Sequence, residues 1–238
     1  MIDRPATSSE SLPLSPEQQK ALAGRLGAER VADGQVVGLG TGTTVRYALE
    51  ALGERVAGGL RITGVATSRA TEELATRVGI PLASLNDLPR LDIAIDGADE
   101  IDPARNLIKG LGGALVREKL VEIAAPRLVI IGDESKLVPA LGARCPVPVA
   151  IVPFGWRHTR ARLAALGCRP ELRLRAGEPL VTDDGLLILD CWFGPMTDPA
   201  AVEARIVATV GVVASGLFLG WPVEAIVAHA DGSVTELP

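Results

Sequence analysis

Residues 36–52, VVGLGTGTTVRYALEAL, place a short apolar run before a loop of glycines and threonines, with a helical pattern after the loop. Three further apolar runs also end in small or polar residues: RITGVATS from 61, LDIAIDGAD from 91 and RLVIIGDES from 127. Continuous Val, Ile and Leu runs separated by helical patterns are typical of a parallel sheet that is covered on both faces. The sequence therefore predicts an α/β fold with a doubly wound, Rossmann-like parallel sheet.

The composition argues against several classes of function. The chain has 238 residues, 47% of them hydrophobic, and a net charge of -5, so it can bury a full core but offers no basic face to a nucleic acid. No run approaches the roughly 18 apolar residues of a membrane helix, and no basic segment precedes an apolar one at the N-terminus, so we expect a cytoplasmic protein with no membrane partner. The three cysteines and two histidines are too scattered for disulfides or a zinc site.

Outside the predicted sheet, the chain predicts an N-terminal extension and a second domain. Residues 1–15 are rich in Ser and Pro and predict a flexible extension, with Ser15 as the N-cap of a first helix. Residues 144–218 read strand, helix, strand, strand, helix, strand, which predicts a smaller ferredoxin-like α+β domain. The last residues carry two short strand patterns around an Asp-Gly turn that could return to the first sheet, so the predicted Rossmann-like domain comprises 16–143 and 219–238.

The glycine-threonine loop, Gly38 to Thr44, matches neither common nucleotide motif. It lacks the third glycine of the dinucleotide fingerprint and the Gly-Lys pair of a P-loop. Its glycines allow close backbone approach, and a helix start offers free N–H groups, so the loop suits a monophosphate. An ordinary strand-to-helix turn capped by Thr44 explains the glycines equally well.

Three more polar stretches fall at the same predicted edge, where ligands bind in sheets of this kind. In IDGADEID, Asp96 and Asp99 could accept hydrogen bonds from sugar hydroxyls; the acidic spacing does not fit a calcium loop, and a solvated acidic turn is the alternative. In LIKGLGGALVREKLVEIA, Lys109 could stabilise an anion and Glu118 accept a proton, or Glu118 could lie on a solvated helix face. In GDESKLV, Lys136 follows what could be a capped turn.

Together these stretches resemble the type A family of ribose-5-phosphate isomerases. The motifs GLGTGTT, DGADEID, IKGLGGALVREK and DESKLV carry the resemblance in this order, and TSRATEELA and GVVASGLF extend it over nearly the whole chain from Pro16. The resemblance implies interconversion of ribose 5-phosphate and ribulose 5-phosphate in the pentose phosphate pathway, without a metal or organic cofactor. It also implies a homodimer or homotetramer.

The resemblance implies site residues as well. Glu118 corresponds to the family's proton acceptor, and the chemistry of an enediolate adds Lys109 as the oxyanion donor and Asp96, helped by Asp99, as the acid/base pair that opens the sugar ring. The implied substrate-binding residues are Thr41, Gly42, Thr43, Thr44, Asp96, Gly97, Ala98, Asp99, Lys109, Gly110, Leu111, Gly112, Lys136 and, in the first helix, Lys20.

Two positions depart from the family pattern. Leu111 stands where a glycine is usual, and its Cβ restricts φ in a loop expected close to the sugar. Thr43 replaces a serine and keeps the hydroxyl. Two rival functions use similar features: a phosphosugar-binding sensor would need no base, and an acyl-group transferase of the coenzyme A type would use a glutamate as a nucleophile.

Overall fold

The computed structural model describes residues 12–88 and 90–237, so most of the predicted N-terminal extension lies outside the described residues. The helices are α1 Pro16–Glu29, α2 Thr43–Ala57, α3 Arg69–Arg77, α4 Leu115–Ile123, α5 Trp156–Ala164 and α6 Pro199–Val207. The strands are β1 Val36–Leu39, β2 Thr63–Ala66, β3 Ile93–Gly97, β4 Glu100–Ile101, β5 Leu107–Ile108, β6 Leu128–Asp133, β7 Val147–Ile151, β8 Arg169–Leu172, β9 Leu174–Arg175, β10 Glu178–Pro179, β11 Leu187–Trp192, β12 Val212–Ser215, β13 Leu217–Phe218, β14 Val223–Ala228 and β15 Val234–Leu237.

A six-stranded sheet in the order β15-β14-β6-β3-β1-β2 forms the centre of the molecule. All neighbouring strands are parallel except β14 and β15, which pair around the Asp-Gly turn as the sequence predicted. Successive side chains of a strand point to opposite faces, and both faces are apolar: Ile93 and Ile95 of β3 pack with α1 and α2, whereas Ala94 packs with Val121 of α4. The doubly wound α/β prediction is confirmed.

The first helix starts where the sequence places it. The Ser15 hydroxyl accepts the Gln18 N–H at 3.3 Å, and the Gln18 side chain accepts the Ser15 N–H at 2.8 Å, which is a capping box. No helix in the described part of the chain is long and apolar enough to cross a membrane.

A second, four-stranded sheet has the order β12-β7-β11-β8, with every pair antiparallel. Together with α5 and α6, these strands follow the predicted β-α-β-β-α-β order, and the sheet order is that of a ferredoxin-like fold. The six-stranded sheet draws on chain segments before 144 and after 218, and the four-stranded sheet on the residues between them. On this ground we propose the predicted domain limits, 16–143 with 219–238 and 144–218.

The predicted strand GVVASGLF is two strands in the structure, because the chain changes sheets at Gly216. β12 belongs to the four-stranded sheet, whereas β13 pairs with β5 in a three-stranded sheet, β13-β5-β4. The Gly216 N–H donates to the Pro148 carbonyl at 2.7 Å, and the Gly216 carbonyl accepts the Lys109 N–H at 2.9 Å. Gly216 therefore joins the backbone of Lys109 to the four-stranded sheet, which we call the small sheet.

A side chain at Gly216 would separate these backbones. A Cβ there would lie 2.2 Å from the Lys109 carbonyl oxygen and 2.8 Å from Pro148 Cδ. We expect Gly216→Ala to lower the free energy of unfolding by about 1–3 kcal/mol, as overpacking does, and to lower the Tm in a thermal melt. Gly58→Ala, whose Cβ would meet no atom closer than 3.3 Å, is the matched control. Equal Tm values for the two variants would contradict the proposed contact.

Candidate active site

A cavity of about 210 Å³ opens at the carboxyl ends of β1 and β3, beside the first turns of α2 and α4. Most of the predicted site residues meet there, although they come from four separate stretches of sequence. Its lining consists of Thr41, Gly42, Thr43, Thr44, Val45, Gly97, Ala98, Asp99, Lys109, Gly110, Gly112, Glu118 and Lys136. Of the predicted residues, Asp96, Leu111 and Lys20 do not line the cavity.

The glycine-threonine loop lines the cavity at the start of α2. α2 begins at Thr43 with Gly42 as N-cap, and no side chain caps it, so Thr44 is not the capping residue. The Arg46 N–H donates back to Gly42, which leaves the preceding N–H groups of the first turn without intrahelical partners. This end of the helix is therefore electropositive and suited to an anion.

The Thr41 hydroxyl lies within a cluster of hydroxyl groups below the loop. Its Oγ1 is 2.7 Å from Thr67 Oγ1, 2.8 Å from Ser68 Oγ and 3.1 Å from Thr71 Oγ1. The Thr71 hydroxyl in turn donates to the Gly40 carbonyl at 2.7 Å. The end of β2 and the start of α3 thus fix the loop, and the Thr41 hydroxyl is already hydrogen-bonded within the protein.

Asp96, at the end of β3, is 1% exposed and lies directly below the loop. Its Oδ1 accepts the N–H groups of Thr41 at 3.1 Å and Gly97 at 2.7 Å. Gly40 makes this approach possible, because a Cβ at that position would lie 2.1 Å from the Asp96 Cγ. Asp96 therefore positions the loop from beneath, and the alternative of a solvated acidic turn is wrong at this residue.

The Lys109 ammonium group is buried among three carboxylates. Its Nζ donates to the Gly97 carbonyl at 2.6 Å and lies 2.9 Å from Asp96 Oδ2, 3.0 Å from Glu122 Oε1 and 3.8 Å from Glu118 Oε2. Its side chain is 2% exposed. Burial by itself lowers the pKa of a lysine, but the carboxylates of Asp96, Glu122 and Glu118 outweigh it and raise the Lys109 pKa above its usual value. Lys109 therefore stays charged.

Glu118 and Glu122 lie one turn apart on the same face of α4, and both are 2% exposed. Burial raises the pKa of Glu118 to about 8, with the Asp96 and Asp99 carboxylates adding to the rise and Lys109 opposing it. Burial likewise raises the pKa of Glu122 well above the usual range of a carboxyl. One ammonium group cannot neutralise three buried carboxylates, so protons are retained on this pair. A solvated helix face is thus the wrong interpretation for Glu118.

Glu122 is a residue that the sequence interpretation missed. The signal was present, since REKLVE places a second glutamate four residues after Glu118, and that spacing puts the two on one face of a helix. Glu122 contacts Lys109 but does not line the cavity.

Asp99 and the loop that follows Lys109 form another wall of the cavity. Asp99 Oδ2 accepts the Leu111 N–H at 2.9 Å. Burial raises the pKa of Asp99, although this hydrogen bond and the Lys109 charge oppose the rise. The positive φ angles in the loop belong to Gly110, at +105°, and Gly113, at +93°. Leu111 is 43% exposed and does not line the cavity, so its side chain does not narrow the cavity as the sequence suggested.

The two remaining predicted lysines differ in placement. Lys136, in the short 3-10 turn Glu134–Lys136 after β6, lines the cavity. The predicted capped turn is also present, since Asp133 Oδ1 accepts the Ser135 N–H at 3.0 Å. Lys20 on α1 pairs with Glu17 at 2.8 Å outside the cavity lining. Among the described residues no group of His, Cys, Asp and Glu side chains is arranged to hold a metal ion.

Comparison with known proteins gives matches to a single family. The family model for ribose 5-phosphate isomerase A (phosphoriboisomerase A) matches residues 63–232. A ribose-5-phosphate isomerase A from Synechococcus sp. is 52% identical over 93% of this chain and 97% of its own length. The solved ribose 5-phosphate isomerase from Plasmodium falciparum has a TM-score of 0.90 and 39% identity, covering 93% of this chain and 98% of its own. A D-ribose-5-phosphate isomerase solved in complex with phospho-erythronic acid has a TM-score of 0.90 and 36% identity, covering 94% and 99%.

The glycine loop after Lys109 allows a paired test of the geometry. A Cβ at Gly110 would lie 2.7 Å from the Leu115 Cβ, and the φ of +105° disfavours any side chain. We expect Gly110→Ala to lower the free energy of unfolding by more than about 1 kcal/mol. The half-exposed Leu111 should lose about 1 kcal/mol or less as Leu111→Ala. Thermal or denaturant unfolding measures both, and the reverse ranking would contradict the described loop.

Proposed function

The chain belongs to the ribose 5-phosphate isomerase A family and interconverts ribose 5-phosphate and ribulose 5-phosphate, and from that premise we propose that Glu118 is the base that carries the proton between C1 and C2. The supporting observation is its position. Glu118 is a buried carboxylate that lines the cavity, whereas the neighbouring Asp96 and Glu122 do not. A general base is most effective when its pKa lies near the operating pH, and burial moves the Glu118 pKa in that direction.

The positive charge of Lys109 stabilises the enediolate. Its Nζ donates to the Gly97 carbonyl and lies within 3.0 Å of the Asp96 and Glu122 carboxylates, so these groups hold the buried ammonium group inside the protein. We therefore revise the expected donor role: the ammonium group stabilises negative charge on the substrate through the low-dielectric site. Its fixed position also means that little reorganisation is needed when that charge develops.

Asp99 is the better candidate for opening the sugar ring. It lines the cavity and burial raises its pKa, which favours a carboxyl that exchanges protons. Asp96 was expected to lead this step, but its Oδ1 is committed to the N–H groups of Thr41 and Gly97, and its side chain is below the cavity wall. We propose that Asp96 positions the loop and Lys109 instead.

The phosphate binds at the first turn of α2. Thr43, Thr44 and Lys136 line one cavity, and Thr43 and Thr44 begin α2. Free N–H groups at the positive end of a helix dipole, together with an ammonium group, bind phosphate in other proteins. A relative with 36% identity was solved with phospho-erythronic acid, a phosphorylated sugar acid, and the same class of ligand suits this cavity. A role for Lys20, the cytoplasmic location and a homodimeric or homotetrameric assembly stay predictions.

Replacing the base tests the central assignment. Glu118→Gln keeps the size and hydrogen bonding of the side chain but removes its basicity. We expect kcat to fall by at least about 10²-fold with little change in KM, because the lost interaction belongs to proton transfer. Glu122→Gln is the matched control on the same helix, and its kcat should fall by a much smaller factor.

Solvent exchange adds an independent measurement for the same pair of variants. In deuterated water, the wild type and Glu122→Gln should exchange the substrate's C2 hydrogen through the enediolate, and Glu118→Gln should lose exchange and turnover together. Near-normal turnover in Glu118→Gln would remove it from the mechanism. A covalent glutamyl adduct would instead favour acyl-transfer chemistry.

The pH dependence follows from the Glu118 pKa. Below about pH 8 the Glu118 carboxyl of the free enzyme carries a proton and cannot accept another. We expect kcat/KM for ribose 5-phosphate to rise with pH and level off above about 8, measured above about pH 6.5, where a phosphate monoester with a second pKa near 6 is mostly a dianion. A profile that is flat over this range would mean that Glu118 is not desolvated in solution.

A further inference from the structure

Arg173 lies between β8 and β9 at the margin of the four-stranded sheet, yet it contacts the glycine loop of the active site. Its Nη1 donates to the carbonyl oxygens of Gly110 at 2.7 Å and Leu111 at 2.9 Å. Its Nε donates to Asp190 Oδ2 at 2.9 Å, and its Nη2 pairs with the other oxygen of the same carboxylate. The Arg173 and Asp190 side chains are only 10% and 18% exposed. The guanidinium group therefore forms a bidentate pair with Asp190 on one side and donates hydrogen bonds to the loop on the other.

Because peptide groups are planar, the hydrogen bonds from Arg173 to these two carbonyls also fix the direction of the N–H groups that follow them. In a trans peptide the carbonyl and the following N–H point in opposite directions. With the Gly110 carbonyl directed to Arg173, the Leu111 N–H points the other way, where it donates to Asp99 Oδ2 at 2.9 Å. With the Leu111 carbonyl directed to Arg173, the Gly112 N–H is turned away from Arg173, and Gly112 lines the cavity.

The loop needs such a restraint because of its composition. Residues 110–113, GLGG, contain three glycines, which have the widest choice of backbone conformations. The loop's own backbone supplies one hydrogen bond, from the Gly113 N–H to the Gly110 carbonyl at 3.0 Å. A peptide rotation would remove the Leu111 N–H from Asp99, which changes both the position and the proton affinity of that carboxyl.

We propose that Arg173 is a positioning residue for the isomerase reaction, and that through it the small sheet fixes Asp99 and the Gly112 N–H in the active site. The inference rests on the proposed function, in which Asp99 and this loop face the sugar. Arg173 is not itself among the cavity-lining residues, so its effect is transmitted through the backbone of Gly110 and Leu111. The small sheet is then part of the catalytic apparatus.

Four variants separate positioning from simple stability. Arg173→Met keeps an unbranched side chain in place of the aliphatic part of the arginine but removes every donor. It also leaves the Asp190 carboxylate without its partner, so the Tm should fall as well. Arg173→Met combined with Asp190→Asn removes that stranded charge and should recover part of the Tm. Asp190→Asn alone keeps the guanidinium bonds to the loop. Arg169→Met, on β8 with a side chain 70% exposed, is the matched control.

For both variants that lack Arg173, we expect kcat/KM for ribose 5-phosphate to fall by about 10²-fold, the loss typical of a catalytic group displaced by about 1 Å. Most of the fall should appear in kcat, since the loop orients groups beside Lys109. Asp190→Asn should lose less, and Arg169→Met should match the wild type. All assays are run well below the lowest Tm of the set.

The proposal is overturned if the double variant regains wild-type kcat/KM together with its Tm, because Arg173 would then only stabilise the fold. It is also overturned if Arg169→Met shows the same loss. Glu118→Gln measured in parallel keeps the two hypotheses apart. Normal activity of Glu118→Gln beside a defective Arg173→Met rejects the base assignment alone, and the opposite result rejects the positioning role alone.

Discussion

The interaction on which the rest of the site depends is the burial of the Lys109 ammonium group among Asp96, Glu118 and Glu122. Removing the ammonium group from such a cluster would leave uncompensated negative charge in a low-dielectric interior, which is strongly destabilising. The end of β3, the residue after β5 and one face of α4 must therefore come together as the chain folds. Burial in this cluster also raises the pKa of Glu118, and the Asp96 and Asp99 carboxylates add to the rise. The packing requirement and the basicity that proton transfer needs have one physical origin.

Two glycines make this packing possible. Gly40 lets β1 approach Asp96, and Gly216 lets the Lys109 backbone approach the junction between β12 and β13; at either position a Cβ would meet a neighbouring heavy atom at about 2.1 or 2.2 Å. At both positions the absence of a side chain allows backbone N–H and carbonyl groups to come within hydrogen-bonding distance. The cluster is consequently held by backbone hydrogen bonds on two sides as well as by charge.

The sequence predicts the sheet and most of the cavity because both depend on local patterns. Apolar runs mark β1, β2, β3 and β6, and the polar residues after them reach the same edge by the geometry of parallel strands. Local patterns do not predict contacts between segments that are distant in the sequence. Arg173 lies 62 residues from Leu111, the chain changes sheets at Gly216 within what reads as one strand, and the proposed roles of Asp96 and Asp99 depend on which carboxyl accepts the backbone N–H groups of the loop. Glu122 was within reach, since its helical spacing from Glu118 is plain in the sequence.

A glycine-rich loop brings the backbone close to a sugar but leaves that backbone free to rotate, so the restraint has to come from outside the loop. Here it comes from the second sheet. Arg173 and Asp190 hold the loop, Arg117 pairs with Asp184 at 2.7 Å, and Lys119 pairs with Glu203 of α6 at 3.2 Å. Arg117 and Lys119 flank Glu118 on α4, so the residue proposed as the base is tied down from the small-sheet side on both sides of its position in the sequence. On the proposed assignments, catalytic precision in this chain depends on contacts that α4 and the glycine loop make with the small-sheet segment, although the residues that line the cavity all come from the segment before residue 144.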